Sequence, residues 1–198
     1  MKESIEFYST VRTEKAVREC DVAVVMLDTE RGLEDQDKKI LRLAESFNKG
    51  IVIALNKWDL VTDKETNTFK EHQQTILDQL PMMDYVPVIS ISAVHKQRVT
   101  KLLDLVLEVL EERKKKITTS DFNNFLEKVI QSRPLPVKRG RMLSISYGLQ
   151  VKQNPPVFKY FMNIPEEMPP NYRRYLERKI REEFGFVGVP ITQIFRKK

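Results

Sequence analysis

The chain has 198 residues, 41% of them hydrophobic, and a formal net charge of +6, which allows one large or two small cored domains without suggesting a membrane protein. Its longest apolar run, "VAVVML" at 22–27, is far short of a bilayer span, and the N-terminus has no signal-peptide hydrophobic region, so a cytoplasmic protein with no membrane partner is expected. A single cysteine, Cys20, excludes an internal disulfide, and the two distant histidines, His72 and His95, give no metal-ligand spacing.

In chain order, "IEFYSTVRTEKAVREC" places Ile5, Tyr8, Val11, Ala16 and Val17 near helical spacing, and Cys20 closes that helix as an expected small buried hydrophobe. "DVAVVMLD" follows as a buried strand. "EDQDKKILRLAESFN" is a helix with Ile40, Leu41, Leu43, Ala44 and Phe47 inward, stopped by Asn48–Gly50. "IVIALN" is a second buried strand, "KEHQQTILDQL" a helix, and "VPVISIS" a third strand. "VTKLLDLVLEVLEER" closes the half, with apolar residues at 99, 102, 103, 106, 107 and 110. Buried strands separated by helices predict a parallel sheet with helices on its faces. Right-handed crossovers put all the strand ends on one edge, where such sheets hold their ligands.

A basic block, Arg113–Lys116, then a Thr-Thr-Ser turn mark a boundary at about 117 and predict domains at 1–117 and 118–198. Residues 113–198 hold 19 Lys and Arg against 7 Asp and Glu, net +12, leaving the first 112 residues at 15 against 21, net −6. An acidic front and a basic back point to different partners, with phosphates expected at the back.

The back half opens with "SDFNNFLEKVIQSR", a helix with Phe122, Phe125, Leu126, Val129 and Ile130 on one face behind a Ser120 or Thr119 cap. "RMLSISYGLQV" reads as a strand with Leu143, Ile145, Tyr147, Leu149 and Val151 alternating, and "VFKYFMNI" as its neighbour. "PNYRRYLERKIREEFG" is a helix with Tyr172, Tyr175, Leu176, Ile180 and Phe184 inward, Arg173, Arg174, Arg178 and Arg181 outward, and Gly185 as its cap. "PITQIF" is the last strand, giving a small α+β domain of order α-β-β-α-β. The Tyr and Phe residues of these strands are expected in the core. "GFVG" at 185–188 has the spacing of an RNA-clamping G-x-x-G, but it joins a helix to a strand rather than two helices, so a structural role is expected.

The chemistry lies in "NKWD" at 56–59, directly after the second buried strand, and in "SISA" at 90–93, one strand later. A carboxylate at Asp59 accepts two N–H bonds from guanine, which adenine cannot supply. The Asn56 amide can bond the base and brace an adjoining loop, the Lys57 stem can lie over the ring, and the Ala93 N–H suits the guanine oxygen. N-K-x-D arises by chance in about 2% of chains this long; its place between a buried strand and a helix, with S-A one strand on, makes it far more specific.

This order of elements with "NKWD" and "SA" resembles the guanine-recognition half of a translation-factor-type GTPase domain. "ESIEFYSTVRTEKAV", "CDVAVVMLDTERGLEDQD", "IVIALNKWDLV" and the tail "PPVFKYFMNIPEEMPPNYRRYLERKIREEFGFVGVPITQIFRKK" resemble the second G domain and the KH-like C-terminal domain of the Der (EngA) family of bacterial ribosome-assembly GTPases, over essentially the whole chain. The resemblance implies a GTP/GDP cofactor, Asn56, Lys57, Asp59, Ser92 and Ala93 as guanine-specificity residues, and ribosomal RNA or the large ribosomal subunit as partner. RNA contact is then expected from Lys138, Arg139 and Arg141, from Arg173, Arg174, Arg178 and Arg181, and from Arg196, Lys197 and Lys198.

The sequence contains no G-x-x-x-x-G-K-[ST] phosphate loop. Hydrolysis depends on that loop, its lysine and magnesium, so the chain alone is expected neither to hydrolyse GTP nor to bind it tightly. It reads as the later part of the second of two tandem G domains followed by the KH-like domain. The alternative is a non-catalytic RNA- or protein-binding module on a GTPase-like scaffold. Without the strand that carries the phosphate loop, Val22–Leu27 is expected to form an exposed apolar edge that favours self-association.

Overall fold

The computed structural model describes residues 2–62, 65–138 and 140–198, with side chains from residue 11 onward; the side chains of Ile5 and Tyr8, and the whole of Arg139, lie outside the described residues. Two compact units are present: Met1–Glu111 with Val187–Val189, and Glu112–Phe186 with Pro190–Lys198.

In the first unit, helix α1 (Lys2–Glu19) leads to strand β1 (Val22–Asp28), then α2 (Asp35–Ser46), β2 (Gly50–Asn56), α3 (Thr68–Asp78), β3 (Val88–Ser90) and α4 (Val99–Lys114). The strands pair in parallel in the order β1-β2-β3. One face packs Ala23, Val25, Leu27, Ile51, Ile53 and Leu55 against Val17, Leu41, Ala44 and Ile76 from the helices. Every residue of β2 from Gly50 to Leu55 is buried, as a central parallel strand requires.

Strand β1 stands at the sheet edge, paired only with β2 among the described residues. Its other face carries Val24 and Met26, and Met26 is 52% exposed. Of the apolar residues on α4, Leu102 and Val109 are buried, while Leu103 and Leu107, expected on the apolar stripe, are each 59% exposed. Cys20 is half-buried rather than buried, its thiol donating to the Val17 carbonyl at 3.4 Å.

Gly188 explains the "GFVG" stretch in structural terms. Its φ is +70°, its N–H donates to the Tyr85 carbonyl, and its carbonyl accepts from Ile51 N–H at 2.7 Å. A Cβ there would lie 2.6 Å from Val109 Cγ2 and 2.9 Å from the Ile51 carbonyl oxygen, so only glycine fits. Gly185, at φ +89°, ends the preceding helix.

The second unit runs α5 (Thr119–Ser132), a hairpin of β4 (Val137–Lys138) and β5 (Arg141–Met142), β6 (Ile145–Lys152), β7 (Val157–Met162), α6 (Pro170–Phe184) and β8 (Thr192–Lys197). The sheet order is β6-β7-β8, antiparallel then parallel. The α5 cap is Thr118, not Thr119 or Ser120: Thr118 has extended backbone angles and its hydroxyl accepts from Asp121 N–H at 3.1 Å.

The single expected strand over 141–151 is broken. Leu143 and Ser144 separate β5 from β6, and β6 shifts register against β7 between Ile145 and Tyr147 and again between Gln150 and Lys152. Each extra residue reverses the inward-outward alternation. Gly148 is therefore the buried position, under Phe122 and Leu126 of α5, while Tyr147 and Val151 are exposed. Among the described residues no helix is long and apolar enough to cross a membrane.

Candidate functional site: a nucleotide-base loop pair and a basic surface

The C-terminal ends of β1, β2 and β3 lie side by side, and the residues just after them are tied together. Asn56, the last residue of β2, accepts the Ala93 N–H on its side-chain oxygen at 3.0 Å. Its carbonyl accepts both the N–H and the hydroxyl of Thr29, which follows β1. Trp58 N–H donates to the Ile91 carbonyl at 3.0 Å. Three loops are thereby held in one frame by a single asparagine and its neighbours.

Lys57 sits in the left-handed region at φ 64°, a backbone turn that aims successive side chains of "NKWD" in different directions. Trp58 turns into the core, edge-on to Phe69 and His72. The Lys57 ammonium reaches Asp28 at 2.6 Å. Asp59 stays at the surface side of the turn, with His95 Nε2 3.7 Å from its carboxylate. Ser92 is buried and its hydroxyl accepts from His95 N–H at 3.2 Å, shaping the loop that carries Ala93. Arg98 braces the end of β3 through the hydroxyl and carbonyl of Ser90.

The frame holds two departures from expectation. The Ala93 N–H, expected to face the guanine oxygen, is engaged by Asn56. Asp28 carries no motif signal of its own, although it is the polar residue that ends β1 in register with Asn56.

The Lys57 hydrogen bond, followed by the Glu30 backbone N–H, holds the Asp28 carboxyl below the usual carboxylate range. The same bond raises Lys57 above the usual ammonium range. Asp28 thus favours the folded frame at pH above the unfolded value near 3.8, and that contribution is lost as pH falls through its lowered folded value. For Lys57 the contribution is present below about 10.5 and lost as pH rises through its raised value. Lys57→Met is expected to move the Asp28 carbon-13 titration midpoint upward; an unmoved midpoint means the pair does not form in solution.

Of the basic candidates of the second unit, Arg173, Arg196 and Lys197 line one shallow pocket with Gln193 and Phe195, and the others lie on other parts of the unit. Lys138 and Arg141 are exposed on the β4–β5 hairpin. Arg173, Arg174 and Arg178 are exposed on α6; the Arg173 guanidinium lies 4.7 Å over the Phe195 ring and Arg178 approaches Glu182. Arg181, expected outward, is turned in: its side chain is 14% exposed and bonds the Phe186 carbonyl and Glu177, closing the turn after α6. Arg196, Lys197 and Lys198 are exposed at the end of the chain. Among the described residues no group of His, Cys, Asp or Glu side chains is placed to hold a metal ion.

The parallel sheet with these loops defines a translation-factor-type G domain: residues 5–112 match the family model of the Elongation factor Tu GTP binding domain. Residues 116–196 match the KH-domain-like domain of EngA bacterial GTPase enzymes, C-terminal. The chain is 46% identical over 98% of its length to a protein named GTPase Der from Chlorobium phaeobacteroides, and 43% identical over its whole length to GTPase Der of Christiangramia forsetii. It is 43% identical over 98% of its length to GTPase Der of Chlorobaculum tepidum. The chain belongs to the Der (EngA) family of GTPases. It spans 44%, 45% and 44% of the length of those three relatives.

Proposed function

We propose that this chain supplies guanine-base recognition and an RNA-binding unit to a GTP-hydrolysing protein that acts in assembly of the large ribosomal subunit. The observation that carries the nucleotide part is the bond from Ala93 N–H to Asn56 Oδ1, which holds the "NKWD" turn and the "SA" loop as one surface. On that surface the Asp59 carboxylate accepts the two edge donors of guanine and the aliphatic stem of Lys57 covers a ring face, while Asp28 fixes the ammonium. Ser92 holds the loop from below. The chain's sequence has no phosphate loop, so base contacts act alone and affinity is weak.

Titration of the nitrogen-15-labelled chain with millimolar GDP tests this. Amide shifts at Lys57, Asp59 and Ala93 that ADP does not produce are expected; equal responses to the two nucleotides contradict the reading.

The RNA part rests on a unit carrying the chain's excess positive charge, which the phosphates of a polynucleotide attract with release of their condensed counterions. Pairing of a second copy along Val22–Leu27 of β1 belongs to the same proposal, because that strand is apolar and at the sheet edge. Light scattering that returns only the monomer mass at high concentration contradicts that part.

A further inference from the structure

We infer that the outer face of the second unit's sheet is a stacking surface for single-stranded RNA, with bases on Tyr147 and Phe161 and phosphates at Lys159 and Arg196. This rests on the RNA-binding reading above and gives it a place that the basic residues alone do not.

The two faces of this sheet differ sharply. Along β7, Phe158, Tyr160 and Met162 are fully buried on the inner face, where Phe158 and Tyr160 meet Phe122 of α5. The alternating residues Val157, Lys159 and Phe161 are not buried. Their register partners share that outer face: Tyr147 and Arg196 flank Phe161, and Leu149 and Ile194 flank Lys159. None of these is buried either; the Pro165–Glu167 turn borders the face only at its β8 side, where Glu166 shares a shallow pocket with Ile194 and Arg196. Exposed aromatic rings on an open sheet are a departure from ordinary strand patterning, where the outer face is polar.

The ring geometry suits a nucleobase. Tyr147 and Phe161 are parallel, with centroids 4.5 Å apart and planes 10° from one another, and Tyr147 is 40% exposed. A base placed on this pair continues a stack already two rings deep. Every base offers such a π face, so the contact tolerates any sequence.

Cations accompany the rings. The Lys159 ammonium is 5.8 Å from the Phe161 centroid, and Arg196 is the exposed register partner of the same ring. The three strands carry Lys152, Lys159, Arg196 and Lys197 and no Asp or Glu. A ring pair with one cation beside it in the same row and another in the next row matches stacked bases with phosphates alongside. An acidic protein would satisfy the charges but leave the stacked rings without a flat partner. The β-bulges of β6 create the surface, since without them Tyr147 would point inward.

The test uses the full chain and a fluorescein-labelled 12-nucleotide single-stranded RNA containing 2-aminopurine. Binding with quenching of the 2-aminopurine is expected, because quenching requires ring contact and charge alone does not cause it. Tyr147→Leu is expected to weaken binding about tenfold and to remove the quenching. Lys159→Gln and Arg196→Gln, at positions outside the core, each weaken binding and lower the slope of log K against log salt by about one. Unchanged affinity and quenching in Tyr147→Leu and Arg196→Gln, with loss instead in an Arg174→Gln, Arg178→Gln double variant, would overturn the sheet-face site and leave RNA binding standing. No binding of RNA by the unaltered chain overturns both, and binding of a poly-glutamate peptide in place of RNA does the same.

Discussion

Phe122→Ala is expected to destabilise the second unit by about 3–5 kcal/mol, the largest stability effect of any single substitution proposed for this chain. Phe122 is fully buried and stacks on Phe158 at 4.8 Å, with Phe125 at 5.8 Å and Tyr160 at 5.7 Å. Truncation removes the transfer energy of the ring and leaves a cavity walled by three other aromatic side chains, which cannot close over it without breaking their own stacking. Against a domain stability of about 5–15 kcal/mol the unit would be close to unfolding.

The same site predicts a coupling. A Cβ on Gly148 would lie 2.7 Å from Phe122 Cε1 and 2.9 Å from Leu126 Cδ1, so Gly148→Ala alone should also destabilise. In the Phe122→Ala background the clash with the ring is gone, and the second substitution should cost less than it does alone. Denaturant unfolding followed by near-ultraviolet circular dichroism measures all four proteins. Strict additivity, or a loss under about 1 kcal/mol for Phe122→Ala, means that the two residues are not packed as described.

The sequence carries the elements of the first unit well because its strands are continuous apolar runs and its helices have a clear period. "IVIALN" can only be a strand buried on both faces, and β2 is one. The position of "NKWD" at the C-terminal edge follows from the same logic. What period cannot supply is phase. On α4, six apolar positions at helical spacing left two that stay in solvent, since pattern alone does not say where a stripe ends. In β6, two inserted residues reverse the alternation, so Tyr147 lies on the outer face rather than in the expected core. Such bulges have no residue signature beyond Gly148, a glycine inside a strand.

Site residues follow the same division. The types at 56, 57, 59, 92 and 93 state a chemistry, and the Asn56 brace to the following loop is legible as a role for an asparagine. The partner of Lys57 is not, because Asp28 is distant in sequence and is brought near only by the parallel register of β1 and β2. Arg181 shows the converse: an arginine near the end of a polar helix face reads as solvated, yet the turn after α6 needs its guanidinium to satisfy the Phe186 carbonyl.

Whether Asp59 reads guanine is decided most directly by nucleotide selectivity in Asp59→Asn. The variant is made in a chimaera in which this chain replaces the matching 44% of the Chlorobium phaeobacteroides protein, so that the base site acts within a longer relative. A carboxylate accepts from N1–H and the exocyclic amine of guanine. An amide donates where the carboxylate accepted, and xanthine has a carbonyl at the position of that amine. A site built around such a hydrogen-bonded pair rejects the mismatched edge strongly, so the ratio of GDP to XDP affinity, read at the Lys57 and Ala93 amides so that only this base site is followed, should fall by at least about a hundredfold and reverse in favour of XDP. Unchanged preference for GDP in Asp59→Asn, with the amides of Lys57 and Ala93 still shifted by nucleotide, would contradict that role, since some other group would then be selecting the base.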